Sequence, residues 1–337
     1  MNYGKADLAI DFGTANTRVV TQAGGVLFDE PSLCCFTGQP ADGELVAAGT
    51  SVKAMLNRTS GKLRVVRPLN RGVLSDIAAA RHYLAYAVSS SVGQRRLRSF
   101  RAIIGVPADA TGAERGALLT AANDAGLGSV ELLAEPLLAA LGAGIEVDRP
   151  KGAMILECGA GITEAAVLSL GGICATASIR GGGDAFDGAI SDYLHVRHKF
   201  LVGPSTAEQA KRDLVSILEE GAGEGTDLRV KGRSLITGLP AVMAVSVDEL
   251  TPVVRKQVGA IADMIVKLLG RISPELSRDI HDSGIVLTGG SAAIGLVGRA
   301  VAEATGLPVS VADEHAHCVA LGLQKALASS TIEIPSL

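Results

Sequence analysis

The 337-residue chain contains no tryptophan, and aromatic residues make up only 3% of it. Its core must therefore be built from Ala, Val, Leu and Ile, which the 47% hydrophobic content supplies. Cysteine is scarce. The five residues Cys34, Cys35, Cys158, Cys174 and Cys318 are odd in number and show no CxxC spacing, so neither a disulfide framework nor a zinc site is expected. Such thiols suit a reducing cytoplasm. Neither charge dominates: 31 Lys and Arg stand against 35 Asp and Glu, and a net charge of −4 offers no global attraction to nucleic acid. Long apolar runs are missing too. The longest uncharged stretch, 165–179, is interrupted by Ser169, Gly171, Gly172, Thr176 and Ser178 and falls short of the ~18–20 apolar residues of a membrane span. Despite a mean hydropathy of +0.33, no crossing is expected. Charges at Lys5, Asp7 and Asp11 leave no room for the apolar region of a signal peptide. There is no GxxxxGK[ST] loop and no GxGxxG turn, since Gly181-Gly182-Gly183 lacks the spacing, which disfavours P-loop enzymes and Rossmann oxidoreductases.

What is present is an internal repeat. Residues 8–20, with Asp11, Gly13 and Thr17, read as a buried strand, a glycine turn and a returning strand. Residues 154–167 read the same way, with Glu157, Gly159 and Thr163 at the same offsets, 146 positions later. At roughly 100–200 residues per domain the length predicts two lobes, each opening with this hairpin. Strand and helix signals alternate after each copy: a helix capped at Ser75-Asp76 and running to about Ser90, a strand over 101–106, helices over 112–126, from Glu135-Pro136, over 206–220 and over 247–269, a strand over 284–287 and a helix over 292–305. That is an α/β chain. Gly221–Gly225 reads as a flexible loop and 329–337 as a loose tail.

A glycine turn between strands exposes consecutive backbone N–H groups that can hold phosphate oxygens. One copy is weak, because any hairpin needs glycine. Two copies, each with a carboxylate ahead of the turn, can clamp a polyphosphate while Asp11 and Glu157 face Mg2+ and its waters. A third glycine motif, Thr288-Gly289-Gly290-Ser291, ends a strand and begins a helix, and is equally compatible with an ordinary turn.

Taken in order, Asp11-Phe-Gly-Thr-Ala-Asn-Thr17, Glu135-Pro136, Glu157-Cys-Gly-Ala-Gly-Ile-Thr163 and Leu287-Thr-Gly-Gly290 resemble the phosphate-1, catalytic, phosphate-2 and adenosine motifs of the actin, heat-shock chaperone and sugar kinase superfamily. Within it the chain resembles the bacterial actin MreB family over nearly its whole length, with further similar stretches at 66–73, 104–107, Gly182-Gly183-Asp184, 206–211 and 273–280. The resemblance implies an actin-like two-lobed α/β fold in which each lobe has a ribonuclease-H-like mixed sheet flanked by helices. Lobe I would comprise 1–144 and 313–337, with a small insertion at about 30–70, and lobe II 145–312, with one at about 184–245. It implies ATP and Mg2+ as cofactors. Gly13, Thr14, Ala15, Asn16 and Thr17 would face Gly159, Ala160 and Gly161 across the phosphates. Gly182, Gly183, Glu208, Lys211, Gly289, Gly290, Ser291 and Ala292 would border the rest of the nucleotide. Asp11 and Glu157 would hold the metal through water, and Glu135 would orient the attacking water. Glu135 can equally be read as an acid favoured by a helix N-terminus.

Three departures stand out. The family usually has Asp where this chain has Glu157, and the extra methylene can displace the metal-water shell and slow hydrolysis. Ile162 removes a hydroxyl from the second turn. Arg18 replaces an apolar residue and is open to two readings, on the phosphates or on the surface. His315-Ala-His317 has metal-like spacing but reads as a surface loop, and Cys34-Cys35 as buried small hydrophobes. Arg95, Arg96, Leu97, Arg98, Phe100 and Arg101 form a basic segment where the family places a membrane-touching loop, and they suit an anionic bilayer surface. The expected function is an ATP-dependent filament-forming cytoskeletal protein at the inner face of the cytoplasmic membrane, with itself as partner and cell-wall or positioning machinery as further partners. A cytosolic, MamK-like organelle-positioning actin is the close alternative. A small-molecule kinase or a chaperone is disfavoured by the short chain, which leaves only about 20 residues after Cys318.

Overall fold

The computed structural model describes residues 7–93, 100–221 and 225–328. Two five-stranded sheets dominate, and both have the same strand order. In the first, Ser129–Ala134, Arg101–Val106, Leu8–Phe12, Asn16–Thr21 and Gly25–Pro31 lie side by side. In the second the order is Val309–Val311, Ile285–Thr288, Ala153–Cys158, Thr163–Ser169 and Gly172–Ile179. Each sheet is an antiparallel three-strand meander extended by two parallel strands beside the first hairpin strand. The expected α/β, ribonuclease-H-like pair of sheets is therefore what forms.

The longest apolar stretch of the sequence is two neighbouring strands of the second sheet, turned at Leu170-Gly171, both of which have positive φ. Among the described residues no helix is long and apolar enough to cross a membrane. Two small three-stranded sheets, one from Leu45–Ala48, Cys34–Thr37 and Leu63–Val66, the other from Phe200–Leu201, Asp227–Ser234 and Pro240–Ser246, and a two-stranded pair of Leu69–Asn70 with Val73–Leu74 complete the strands among the described residues.

Helix boundaries follow the local chemistry. Asp76 caps Ile77–Val92 by accepting from the Ala79 N–H at 2.8 Å, and Thr111 with Glu114 forms a capping box on Gly112–Asp124. The helix expected over 292–305 is instead a 3-10 turn at Gly290–Ala293 followed by Gly295–Thr305, because the chain bends at Ile294, which is extended. Cys34 and Cys35 are fully buried, as expected of small hydrophobes.

The two sheets meet over a shared apolar layer: Ala9, Val20 and Ile103 of the first and Ile155, Ala166 and Leu168 of the second pack with the helices Glu135–Gly142 and Cys318–Ala328. Those two helices cross at backbone contact. A Cβ on Gly142 would be driven into the Cys318 carbonyl, and one on Gly322 into the Leu138 carbonyl. Glycine at both points allows the approach, and Lys325 Nζ closes it by donating to Leu141 O at 2.7 Å. The helix held in this crossing begins with Glu135. Replacing Gly322 by Ala should cost about 1–3 kcal/mol of stability by forcing the helices apart. The check is the melting temperature of the variant; an unchanged value would contradict the packing.

Candidate functional site

The two repeat turns are built alike. Gly13 N–H donates to Asn16 O at 3.1 Å, and Gly159 N–H to Ile162 O at 3.0 Å. A Cβ at either glycine would sit within 3 Å of that same carbonyl, 2.8 Å and 2.9 Å respectively, so both turns require glycine. The threonines of the repeat are fully buried. Thr17 Oγ1 lies 2.8 Å from Ser32 Oγ, which donates to Gly13 O at 2.7 Å, and Thr163 Oγ1 donates to Gly181 O at 2.8 Å. The Thr17 side chain therefore braces the turn from behind. Asn16 is likewise turned aside, its Nδ2 donating to Asp29 Oδ1 at 3.1 Å.

Thr14 and Gly161 face each other across the cleft. Thr14 Oγ1 accepts from Gly72 N–H at 3.0 Å and its carbonyl from Arg67 Nη1 at 3.3 Å, while a Cβ on Gly161 would stand 2.9 Å from Arg71 Cα. Ile162, which removes a hydroxyl, gains an apolar contact instead, lying against Gly72.

Four acids gather behind these turns. Asp11, Glu135 and Glu164 are all buried, Glu164 at 1% exposure, and Glu157 Oε2 is buried with no hydrogen-bond partner. Burial pushes the Glu157 carboxyl up to about 8, with the charges of Glu164 and Asp11 adding to the effect. Glu164 also rises to about 8 through burial and the nearby charge of Asp109, against main-chain hydrogen bonds from Ala108 and Asp109. Glu135 is raised well above the usual carboxylate range by burial and by Glu157, Asp11 and Glu164. Asp11 is raised by burial even though Arg18 Nη1 binds its Oδ2 at 2.9 Å. Arg18 also binds Asp29 at 3.1 Å, so it belongs neither to the open surface nor to a free position.

Such a cluster suits a cation. Asp11 has a guanidinium partner, but the Glu157 oxygen has none, and an unpartnered buried carboxylate oxygen is the donor a hydrated divalent ion would use. Among the described residues no three His, Cys, Asp or Glu converge closely enough to ligate a metal directly. Glu135 opens its helix behind Ala134 and ahead of Pro136, and lines a cavity of about 30 Å³ with Gly72, Gly105 and Pro107. That volume accommodates a water.

The remaining expected contacts converge on the second turn. Gly183 N–H donates to Gly159 O at 3.0 Å, Asp184 N–H to Ala160 O at 2.9 Å, and Ser291 Oγ to Gly159 O at 3.0 Å. Gly182 packs on the same carbonyls. Lys211 Nζ pairs with Asp187 at 2.8 Å and donates to Gly183 O at 3.3 Å. Gly289 has φ +85° and lies against the Cys158 backbone, Gly290 borders open space, and Ala292 is buried. Glu208 stands one turn before Lys211 on the same helix and pairs with Arg212 at 2.6 Å.

Among the described residues His315 and His317 join no cluster of three or more metal-ligating side chains. His315 Nδ1 donates to Gly289 O at 2.9 Å while Gly289 N–H donates back to His315 O at 2.7 Å, so this histidine fastens the third glycine turn; His317 Nε2 lies 3.3 Å from Asp29. The expected surface loop is thus a structural tie.

Of the basic segment, Arg95, Arg96, Leu97 and Arg98 lie outside the described residues. Phe100 is half-buried against the core of the first sheet, so its ring is used in folding, and Arg101 begins a central strand.

Sequence reasoning missed Glu164 and Arg180. Glu164 Oε1 accepts from Ala108 N–H at 3.0 Å across the cleft, and Arg180 binds Asp109 at 3.1 Å. Glu164 was findable, since it stands seven residues after Glu157 as Arg18 stands seven after Asp11.

Two lobes with the same strand order, hinged over a common apolar layer with glycine turns meeting across the cleft, define an actin-like protein. The profile described as MreB/Mbl protein matches residues 5–333. The cell shape-determining protein MreB of Escherichia coli K12 is 36% identical over 326 residues, covering 95% of this chain and 93% of that one, and Mbl of Bacillus subtilis 168 is 33% identical over 316 residues, covering 94% of each. The crystal structure of MreB 5 of Spiroplasma citri bound to AMPPNP superposes with a TM-score of 0.87 at 30% identity over 98% of this chain and 97% of that one. A MamK double helical filament shares the fold, with a TM-score of 0.75 at 19% identity, covering 96% and 99%. The chain belongs to the MreB/Mbl family.

The buried acids make stability depend on pH. Without a divalent cation, Glu157 and Glu164 keep their protons in the folded chain up to about pH 8, but release them near 4.5 when unfolded. Between those values the folded state binds more protons, so stability falls as pH rises across the window. Thermal melts in a chelator from pH 5 to 8.5 should show this fall. Glu164→Gln, which keeps an acceptor for Ala108 N–H, should flatten it and melt at least about 2–4 °C above the parent at pH 8. A parent melting point that rises with pH would contradict the assignment.

Proposed function

We propose that the chain binds ATP with Mg2+ between its lobes, hydrolyses it slowly and assembles with copies of itself into filaments that serve cell shape. The observation that carries this reading is the meeting of two like glycine turns, Gly13–Asn16 and Gly159–Ile162, over a buried acid cluster. The relatives support it: one is bound to AMPPNP, another is a filament, and the curated ones are cell shape-determining proteins.

When bound, ATP supplies the γ-phosphoryl group and the metal offsets its charge. Gly13 to Ala15 and Gly159 to Gly161 offer the phosphate-facing backbone, and Gly182, Gly183, Lys211, Gly289, Gly290 and Ser291 border the rest. Glu135 orients a water, for which its small cavity has room, and accepts a proton from it. Burial among other acids raises the proton affinity that this task needs. Because orienting water serves the transition state, Glu135→Gln should hold nucleotide with affinity within about threefold of the parent and lose about a hundredfold or more in turnover. Equal loss of binding and turnover would make Glu135 structural.

At the membrane, Arg95, Arg96 and Arg98, with Arg101, would attract anionic lipid at about 1 kcal/mol each, which is weak for one copy and strong for a filament that repeats the loop. On this reading the filament would lie at the inner face of the cytoplasmic membrane, with cell-wall machinery as a further partner. Electron microscopy with Mg-ATP tests assembly, and co-sedimentation with anionic and neutral vesicles tests the surface. Filaments that pellet only with anionic vesicles are expected. No filaments would sink the cytoskeletal reading, and filaments that ignore both vesicles would favour a cytosolic positioning role.

A further inference from the structure

The two related hairpins differ in charge at one register position. Asp11 faces Arg18 across the antiparallel pair of the first lobe, and Glu157 faces Glu164 at the matching position of the second. Residues directly opposite on antiparallel strands share a face, so one lobe carries an acid–guanidinium pair where the other carries two acids. Asp29 stands opposite Arg18 on the next strand. Arg18 therefore forms the middle rung of a three-strand charge ladder, with Nη1 on Asp11 Oδ2 at 2.9 Å and Nε on Asp29 Oδ2 at 3.1 Å. Its side chain is only 13% exposed. Asp29 in turn meets Asn16 Nδ2 at 3.1 Å and His317 Nε2 at 3.3 Å, which fixes the outer end of the ladder. A guanidinium does not lose its proton at accessible pH, so this positive charge behind the first turn is permanent.

We propose that Arg18 is a built-in cation of the phosphate site, neutralising the carboxylate of the first lobe so that a nucleoside polyphosphate is held with less dependence on Mg2+ than a site of carboxylates alone would show. The inference rests on the nucleotide reading above. A polyphosphate entering between the turns meets the carboxylate of Asp11, to which Glu135 and Glu157 add repulsion whenever they release their protons, so a counter-charge beside Asp11 favours binding. Arg18 supplies it at Asp11 without an exchangeable ion. Among the described residues no cation pairs with Glu157, whose opposite residue is an acid and whose Oε2 has no hydrogen-bond partner. The two lobes are thus unequal, and a divalent ion, when present, is held chiefly from the second lobe. Arg18 is a positioning residue here, acting through Asp11 and the charge of the turn.

The test is the ratio of ATP dissociation constants in excess chelator and in millimolar Mg2+, measured by calorimetry on the full chain. Arg18→Gln should raise this ratio at least about tenfold, through loss of metal-free affinity, whereas Arg18→Lys should stay close to the parent. Because Arg18→Gln leaves two carboxylates without their shared partner, the double change Arg18→Gln/Asp29→Asn is measured beside it, with a melt to show that each variant is folded; its ratio should rise as well. Equal ratios in the parent and both Gln-bearing variants would overturn the proposal, as would a parent that binds ATP only with Mg2+. A parent that binds no ATP even with Mg2+ would overturn the nucleotide reading itself, and this inference with it.

Discussion

Four carboxylates, Asp11, Glu135, Glu157 and Glu164, are drawn together by two sheets and the helix Glu135–Gly142. Each sheet places an acid near the end of its first hairpin strand, and the shared apolar layer of Ala9, Ile103, Ile155 and Ala166 turns those strand ends toward one cleft. Like charges in a poorly hydrated space repel, and the chain has three ways of answering: protons on the glutamates, the guanidinium of Arg18 on Asp11, or cations brought from outside. The site's chemistry follows from how those answers are shared. Proton affinity suits Glu135 to accept a proton from water, and the unpartnered oxygen of Glu157 suits a hydrated metal.

The cleft is also a mechanical joint. Glu164 reaches from the second lobe to the Ala108 N–H of the first, Arg180 and Ser178 meet Asp109, and Gly161 and Ile162 lie against the Arg71-Gly72 turn. Several of these contacts are made by the phosphate-2 turn and the strands beside it. A ligand held by that turn therefore bears directly on how the lobes are seated, which gives nucleotide state a physical route to the shape of the subunit and so to the surfaces copies present to one another.

Much of this was legible in the sequence because it is carried by residues with few substitutes. Gly13 and Gly159 leave no room for a Cβ, and their recurrence 146 positions apart announced the doubled sheet. Buried strands such as Arg101–Val106 and the amphipathic helix Val247–Leu269 had plain patterns. What stayed hidden depends on partners distant in sequence. That Thr17 turns inward is decided by Ser32, that His315 is a tie by Gly289, and that Phe100 is partly used in the core by packing against the first lobe. Arg18 was undecided because its place is fixed by Asp29, a strand away. The break at Ile294 within an otherwise helical pattern has the same character: the Gly290–Ala293 turn is shaped by the Ser291 contact to Gly159.

The chemistry of the cleft depends on the two turns holding a nucleotide together. The most direct measurement is the melting temperature of the chain with and without millimolar Mg-ATP. A ligand that binds only the folded state at a hundred times its dissociation constant stabilises by about 2.7 kcal/mol, which for a chain of this size should appear as a rise of several degrees. A melting temperature unmoved by Mg-ATP at that concentration would contradict it.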